Sequence, residues 1–565
     1  MNELPSPGGE NMEKRAILAT VLALIVLLVY YAFFMPTPPP PPVEPERKEA
    51  KQGVVEEAMP PVAATTPEPV ETPQRITGPL RRGEREEEIV LETDLLRVVL
   101  SNRGGGVRSW QLKRYEETAG PVDLVGSRPD GAAPLPFATS IHGGEGHRGL
   151  YRIVARPPAN SSGPQRVVME FQEANGILVQ KTLVLHPDRY LADAEVRLKN
   201  LGKAAARGSL RLQWGPGFRL GTEDQVAGAA APAVWIDGKL ENPEVEEGRQ
   251  EVTQSGTIGW TALQDRYFAA ALIPDGADPS GFVAKDAEGR PVVGLLYPSM
   301  KIAPGAEQKV EMKLYAGPKE IVRLREAGRN LGELVYLGWF DFVARPALYF
   351  LQFLYGFIGN YGVAIIVITV LQKIVFYPLT QKSHKSMQAM QQLQPKIQAL
   401  KERHKNNPQK VNQETMELYK KHGVNPFGGC LPMLIQIPIF IALYNALASS
   451  VELWHAPFAL WITDLSAPDT LFSIPIAGDA FAVRALALIM GISMFIQQKM
   501  SPTGGDPRQA KMMLYMMPIM FTFIFWGMPS GLVLYWLVNN VLQIGHQYHM
   551  NRGLKLLPAT GKQTE

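Results

Sequence analysis

The chain has 565 residues, 46% hydrophobic and 20% charged, with a mean hydropathy of −0.06, averages that fit neither a soluble globule nor a typical membrane protein and point to two unlike parts. A net charge of +3 supplies no global field that would draw it to nucleic acid. The single cysteine, Cys430, excludes an intrachain disulfide and a cysteine-cluster metal site, and the composition excludes collagen and coiled-coil rods.

After a short N-terminus, 1–15, Ala16–Met35 runs without a charge, long enough to cross a hydrocarbon core of ~30 Å. Its apolar run exceeds the ~7–15 residues of a signal peptide and lacks a small-residue cleavage site, so it reads as an uncleaved anchor. Residues 36–80, rich in Pro, Glu, Ala and Thr, cannot bury a core and read as a semi-rigid spacer. From 81 to 320 the pattern becomes short alternating runs broken by turns: Leu95–Leu100 before Arg103-Gly104-Gly105-Gly106, Ile177–Leu185, Tyr267–Ile273 and Val292–Tyr297. That spacing predicts an antiparallel β-sandwich. Residues 321–360 connect it onward and hold an interfacial amphipathic helix over Leu334–Gly359, rich in aromatic residues but broken as a span by Asp341, Arg345 and Pro346.

The last third is again apolar, with candidate spans at Tyr361–Leu379, Gly429–Ala448, Phe481–Gln498, Met513–Trp526 and Gly531–Gln547. The expected fold class is therefore multidomain: a polytopic α-helical membrane bundle of six spans, five of them in a core at 361–552, with an all-β sandwich and a cytoplasmic helical hairpin at 380–424. In that hairpin Met387, Met390, Leu393, Ile397 and Leu400 recur at helical spacing, and Asn406-Asn407-Pro408 marks the turn. Pro395 is expected to kink or weaken the first arm. The loop between the second and third spans carries Lys382, Lys385, Lys396, Lys401, Arg403, Lys405, Lys410, Lys420 and Lys421, whereas the next loop is acidic. The positive-inside rule then puts this loop, both termini and the tail 553–565 in the cytoplasm and the sandwich on the far side of the membrane, and a single cysteine is compatible with a bacterial periplasm there. The basic loop suits anionic lipid or the ribosome, but a solvated positive-inside loop is the default account of it.

No phosphate-binding loop, zinc-protease motif or nucleophile elbow is present, and the histidines lack ligand spacing. The chain reads as a protein that is not an enzyme and takes no cofactor. The informative residue is Lys373, about 9 Å inside the second span at 1.5 Å per residue. A lysine at a helix centre costs roughly 2.5–3.5 kcal/mol. Snorkelling accounts for a lone lysine. Thr369 and Gln372 lie beside it, however, and Gln436, Gln497, Gln498, Asn539, Asn540 and Gln543 lie in the same half of the membrane on other spans. Amides on four helices at one depth around one lysine fit a water-filled pocket, open to the cytoplasm and closed toward the periplasm. Met512, Met513, Met516, Met517 and Met520 suit varied apolar partners, and ordinary gap-filling explains them equally well. Cys430 reads as a buried structural thiol.

Tyr377-Pro378-Leu379, Asn425-Pro426-Phe427-Gly428-Gly429-Cys430 and Gln436-Ile437-Pro438-Ile439-Phe440 resemble the YidC-type membrane protein insertases, the YidC/Oxa/Alb family. So do Ala456–Ile462, Gln498–Pro502 and Pro529–Trp536. The match between the β-region and the periplasmic domain of the Gram-negative members is looser, through Thr93-Asp94, Asn102–Gly105 and Asp265–Ala269. The resemblance implies insertion and folding of nascent inner-membrane proteins, alone or beside the Sec translocon. It also implies a hydrophilic groove whose cation, often arginine, is here Lys373, and whose sixth-span aromatic positions are here Tyr535 and Trp536. Lysine keeps the charge and loses the planar five-donor fork. A solute transporter is a second reading, disfavoured by the lack of internal repeats; a periplasmic sensor is a third.

Overall fold

The computed structural model describes residues 80–117, 120–126, 134–141, 144–158, 163–219, 230–246, 248–276, 278–405, 407–424, 431–476, 479–500 and 507–555. The expected anchor Ala16–Met35, nearly all of the proline-rich spacer, the 425–430 motif with Cys430, Ser501-Pro502 and residues 556–565 lie outside them. Two compact units divide the described chain: Leu393–Val424 belongs to one, and the remaining described residues form the other.

The β-rich part runs from Glu88 to Pro318, and every strand pair in it is antiparallel. A nine-stranded sheet has Glu307–Pro318 at its centre, paired to Phe268–Asp275 on one side and Leu191–Asn200 on the other. A five-stranded sheet built on Pro291–Ile302 and Ala206–Trp214 packs against it, and a four-stranded sheet carries Leu96–Ser101 and Gly106–Glu117. The alternation legible in the sequence is the reason: in Ala206–Trp214, Gly208, Leu210, Leu212 and Trp214 are buried while their neighbours are partly or fully exposed. Trp214 meets Trp110 edge to face, ring centroids 6.0 Å apart, in the core between sheets. The turn at Arg103–Gly106 needs its glycines: Gly104 and Gly105 have φ of 66° and 56°, and a Cβ on Gly104 would come 2.4 Å from the His147 carbonyl oxygen.

Helices follow. Helix α1 (Ile321–Ala327) and a single 3-10 turn (Leu331–Leu334) lead to α2 (Asp341–Ile358). One face of α2 buries Ala344, Leu348 and Leu351, while Phe342 and Phe357 stand 74% and 77% exposed; an aromatic outer face of this kind suits an interface between water and lipid. Next come α3 (Tyr361–Arg403), α4 (Pro408–Lys421), α5 (Leu431–Ser449), α6 (Ala485–Met500), α7 (Pro507–Trp526) and α8 (Ser530–Lys555). The second span and the first arm expected after residue 380 lie on one helix, because α3 runs unbroken through Pro378 and Pro395. Gln, Lys, Met, Ala and Leu dominate after each proline, and such helix formers carry the helix past the one bond a proline removes. Within the expected turn, Asn406 lies outside the described residues, and the Asn407 side chain caps α4 by accepting from the Lys410 amide at 3.1 Å.

Among the described residues, α3 alone is long and apolar enough to cross a membrane by length and composition; Ile435–Ser449, Ala485–Met500 and Met512–Trp526 are apolar but shorter. The helix in the region of the expected Phe481–Gln498 span begins at Ala485. Phe481–Val483 belong to a strand, Asp479–Val483, that pairs with Phe472–Ile476. Arg484 ends it by donating to the carbonyls of Pro468 and Asp469, each at 2.8 Å.

Candidate substrate groove

Three helices meet through polar side chains that their apolar sequences isolate. Gln372 on α3 donates through Nε2 to Gln436 Oε1 on α5 at 3.4 Å, and Gln436 Nε2 donates to the Tyr535 hydroxyl on α8 at 2.7 Å. The Tyr535 hydroxyl donates back to Gln372 Oε1 at 3.2 Å. The three groups thus form a closed ring in which each donates once and accepts once. Each amide keeps a second N–H and a second acceptor site, so the ring is a neutral polar wall with capacity to spare. Beyond the buried Tyr535 ring lies a small apolar cavity lined by Ala347, Leu348, Ile365, Ile368 and Leu443, which closes that side to polar groups.

Lys373, the next residue on α3, is half-buried and points elsewhere. Its Nζ donates to Gln543 Oε1 on α8 at 3.1 Å, and Gln543 Nε2 lies 2.7 Å from His384 Nε2. The ammonium therefore meets an amide where a structural ion pair would supply a carboxylate, and its charge is held without being cancelled. On α8, Tyr535, Asn539, Gln543 and His546 recur at i, i+4, i+8 and i+11, so these four share one helix face.

The other expected site residues are placed differently. Thr369, fully buried, bonds the Ile365 carbonyl of its own helix at 2.6 Å, the back-bonding that hydroxyls adopt within helices. Asn540 donates to Ser493 on α6 at 3.0 Å, a bond between two packed helices. Trp536 sits among Phe440, Phe521 and Phe525, with centroids 4.8, 5.9 and 5.2 Å away. Its Nε1 and the Asn539 Nδ2 are buried donors without a partner among the described residues. Gln372, Gln436, Tyr535 and Lys373 are thus gathered on neighbouring helix faces, whereas Thr369, Asn540 and Trp536 are directed into packing. His384 was missed by sequence reasoning. Its signal was spacing: eleven residues are three helical turns, which returns His384 to the face of Lys373.

The sequence comparisons agree with this architecture. A family model described as 60Kd inner membrane protein matches residues 353–556, and one described as YidC periplasmic domain matches 88–350. Together they define the class, an inner-membrane protein with a β-rich periplasmic domain. The membrane protein insertase YidC of Geobacter sp. (strain M21) is 40% identical over 473 residues, 82% of this chain and 86% of that one. That of Syntrophus aciditrophicus (strain SB) is 37% identical over 559 residues, covering 96% and 100%. A solved structure described as an active YidC insertase with its first transmembrane domain resolved covers 83% of this chain and 94% of that one, at 19% identity and a TM-score of 0.35. The chain belongs to the YidC family of membrane protein insertases.

Proposed function

We propose that this chain inserts nascent membrane proteins into the inner membrane and helps them fold, alone or with the Sec translocon, without an energy-supplying cofactor. The observation that carries this reading is the placement of Lys373: an ammonium on an apolar helix, bonded to the Gln543 amide and next in the chain to the Gln372 of the Gln372–Gln436–Tyr535 ring. A hydrophilic, often acidic, leading segment of the client enters the groove from the cytoplasm and meets Lys373, with Gln372, Gln436 and Tyr535 beside it. Local hydration there lowers the cost of carrying polar groups through half a bilayer. The apolar part of the client then passes into lipid along α7, where Met512, Met516, Ile519 and Phe523 form an exposed stripe at helical spacing.

In this reading the chain has six spans, beginning with Ala16–Met35, cytoplasmic termini, a periplasmic β-domain at 81–320 tied by the 36–80 spacer, and a cytoplasmic hairpin at 380–424. The hairpin's basic face suits lipid headgroups or the ribosome.

An insertion assay with a single-span client bearing an acidic leading segment tests the proposal. Lys373→Glu is expected to abolish most insertion, and Lys373→Arg to stay close to wild type. Wild-type insertion by Lys373→Glu overturns the electrostatic mechanism.

A further inference from the structure

Gln543 stands between two nitrogen bases, and the chemistry of the pair leaves one arrangement. The Lys373 ammonium has donors and no acceptor, so the Gln543 carboxamide must turn its oxygen toward it, as the 3.1 Å contact shows. The amide NH2 then faces His384 Nε2 at 2.7 Å and can only donate. That nitrogen must therefore hold its lone pair, which fixes His384 as a neutral imidazole with its proton on Nδ1. The His546 ring stands perpendicular to His384, centroids 5.2 Å apart, and Tyr377 packs 5.0 Å from His546. These rings hold the imidazole plane on the α3 side.

We propose that His384 and Gln543 are positioning residues for the groove cation: the neutral imidazole fixes the carboxamide, and the carboxamide keeps the Lys373 ammonium in the groove without neutralising it. A carboxylate at position 543 would hold the lysine equally well and cancel the charge that an acidic client needs. With no acceptor there, the four-carbon stem is free to swing toward the headgroups. The inference deepens the proposed function and rests on Lys373 being the charge that clients meet.

The test uses the full chain in liposomes, at equal amounts of inserted protein. Two single-span clients differ only in carrying aspartates or asparagines in the leading segment. Gln543→Glu, which keeps the side chain's size, and His384→Leu are each expected to lower insertion of the acidic client about fivefold, the scale of one ordinary hydrogen bond. The neutral client should change less than about twofold. His384→Gln places an acceptor oxygen where Nε2 was and should restore insertion of the acidic client. Equal losses for both clients, or an unchanged preference in His384→Leu and Gln543→Glu while Lys373→Gln loses it, overturns the positioning role. A preference that survives Lys373→Gln overturns instead the reading on which that role rests.

Discussion

Trp454 stands edge-on to Phe268, ring centroids 5.3 Å apart and planes at 89°. It joins the connection after α5 to the β-domain, with Tyr115 and Tyr267 also about its ring at 6.0 and 6.3 Å. Beside it His455 donates through Nδ1 to the Glu116 carbonyl at 3.1 Å, and Arg219 ties Glu117 to Asp265. Trp454 is almost fully buried, so Trp454→Ala removes the joint's largest side chain. The expected cost is about 3–5 kcal/mol, as for aromatic truncations in cores. It would be read as a lower melting temperature of the full chain in detergent and faster proteolysis in the 451–470 connection.

The ring of Gln372, Gln436 and Tyr535 makes a second prediction. Tyr535→Phe keeps the aromatic packing and deletes the one hydroxyl that closes the ring. It leaves a Gln436 donor and a Gln372 acceptor unpaired at a cost of roughly 1–3 kcal/mol. Detergent melts should show that loss. If the groove is hydrated the two amides find water and the melt hardly moves, so the size of the shift measures wetness.

Helices α6 and α7 approach closely at Gly491, where a Cβ would fall 2.0 Å from Thr522 Oγ1. Small residues permit such approach between membrane helices. Gly491→Leu should force them apart and destabilise the chain by about 1–3 kcal/mol or more. Gly491→Leu with Thr522→Ala should recover part of that loss, which a thermal melt of the single and double variants would resolve.

Lys181 gives a pH-dependent prediction. Its Nζ, fully buried, bonds the carbonyls of Gly105 and Phe137 at 2.6 and 2.5 Å and lies 4.3 Å over the Phe137 ring, and no carboxylate pairs with it among the described residues. Burial pushes its ammonium well below the ordinary lysine value, which is about 10.4. Above the depressed value the unfolded chain binds more protons than the folded one, so stability rises as pH climbs toward the ordinary value. Lys181→Met lacks that slope. The melting temperature of wild type relative to Lys181→Met should increase between about pH 8 and pH 10, and a constant difference would contradict the assignment.

Much was legible in the sequence. Alternating runs between Ile89 and Tyr315 marked the β-domain to within a few residues of Glu88–Pro318, because period-two burial is written into each strand. Charge-free stretches marked the apolar helices, and Lys373 stood out because lipid penalises it regardless of its neighbours. Phe481–Val483 misled because a short apolar run does not distinguish a strand from the first turn of a helix. Gln372, Gln436 and Tyr535 were named together, but as a lining, without the ring that joins them.

Composition and spacing by themselves marked the β-region and the apolar helices, since periodicity is a property of one element. Tertiary structure alone decided which faces meet. It turned Asn540 to Ser493, sent Trp536 among phenylalanines, returned Thr369 to its own backbone, and set Gln543 between Lys373 and His384. Those pairings depend on how α3, α5, α6 and α8 cross, and a crossing is fixed by side chains far apart in the chain, which no local pattern encodes.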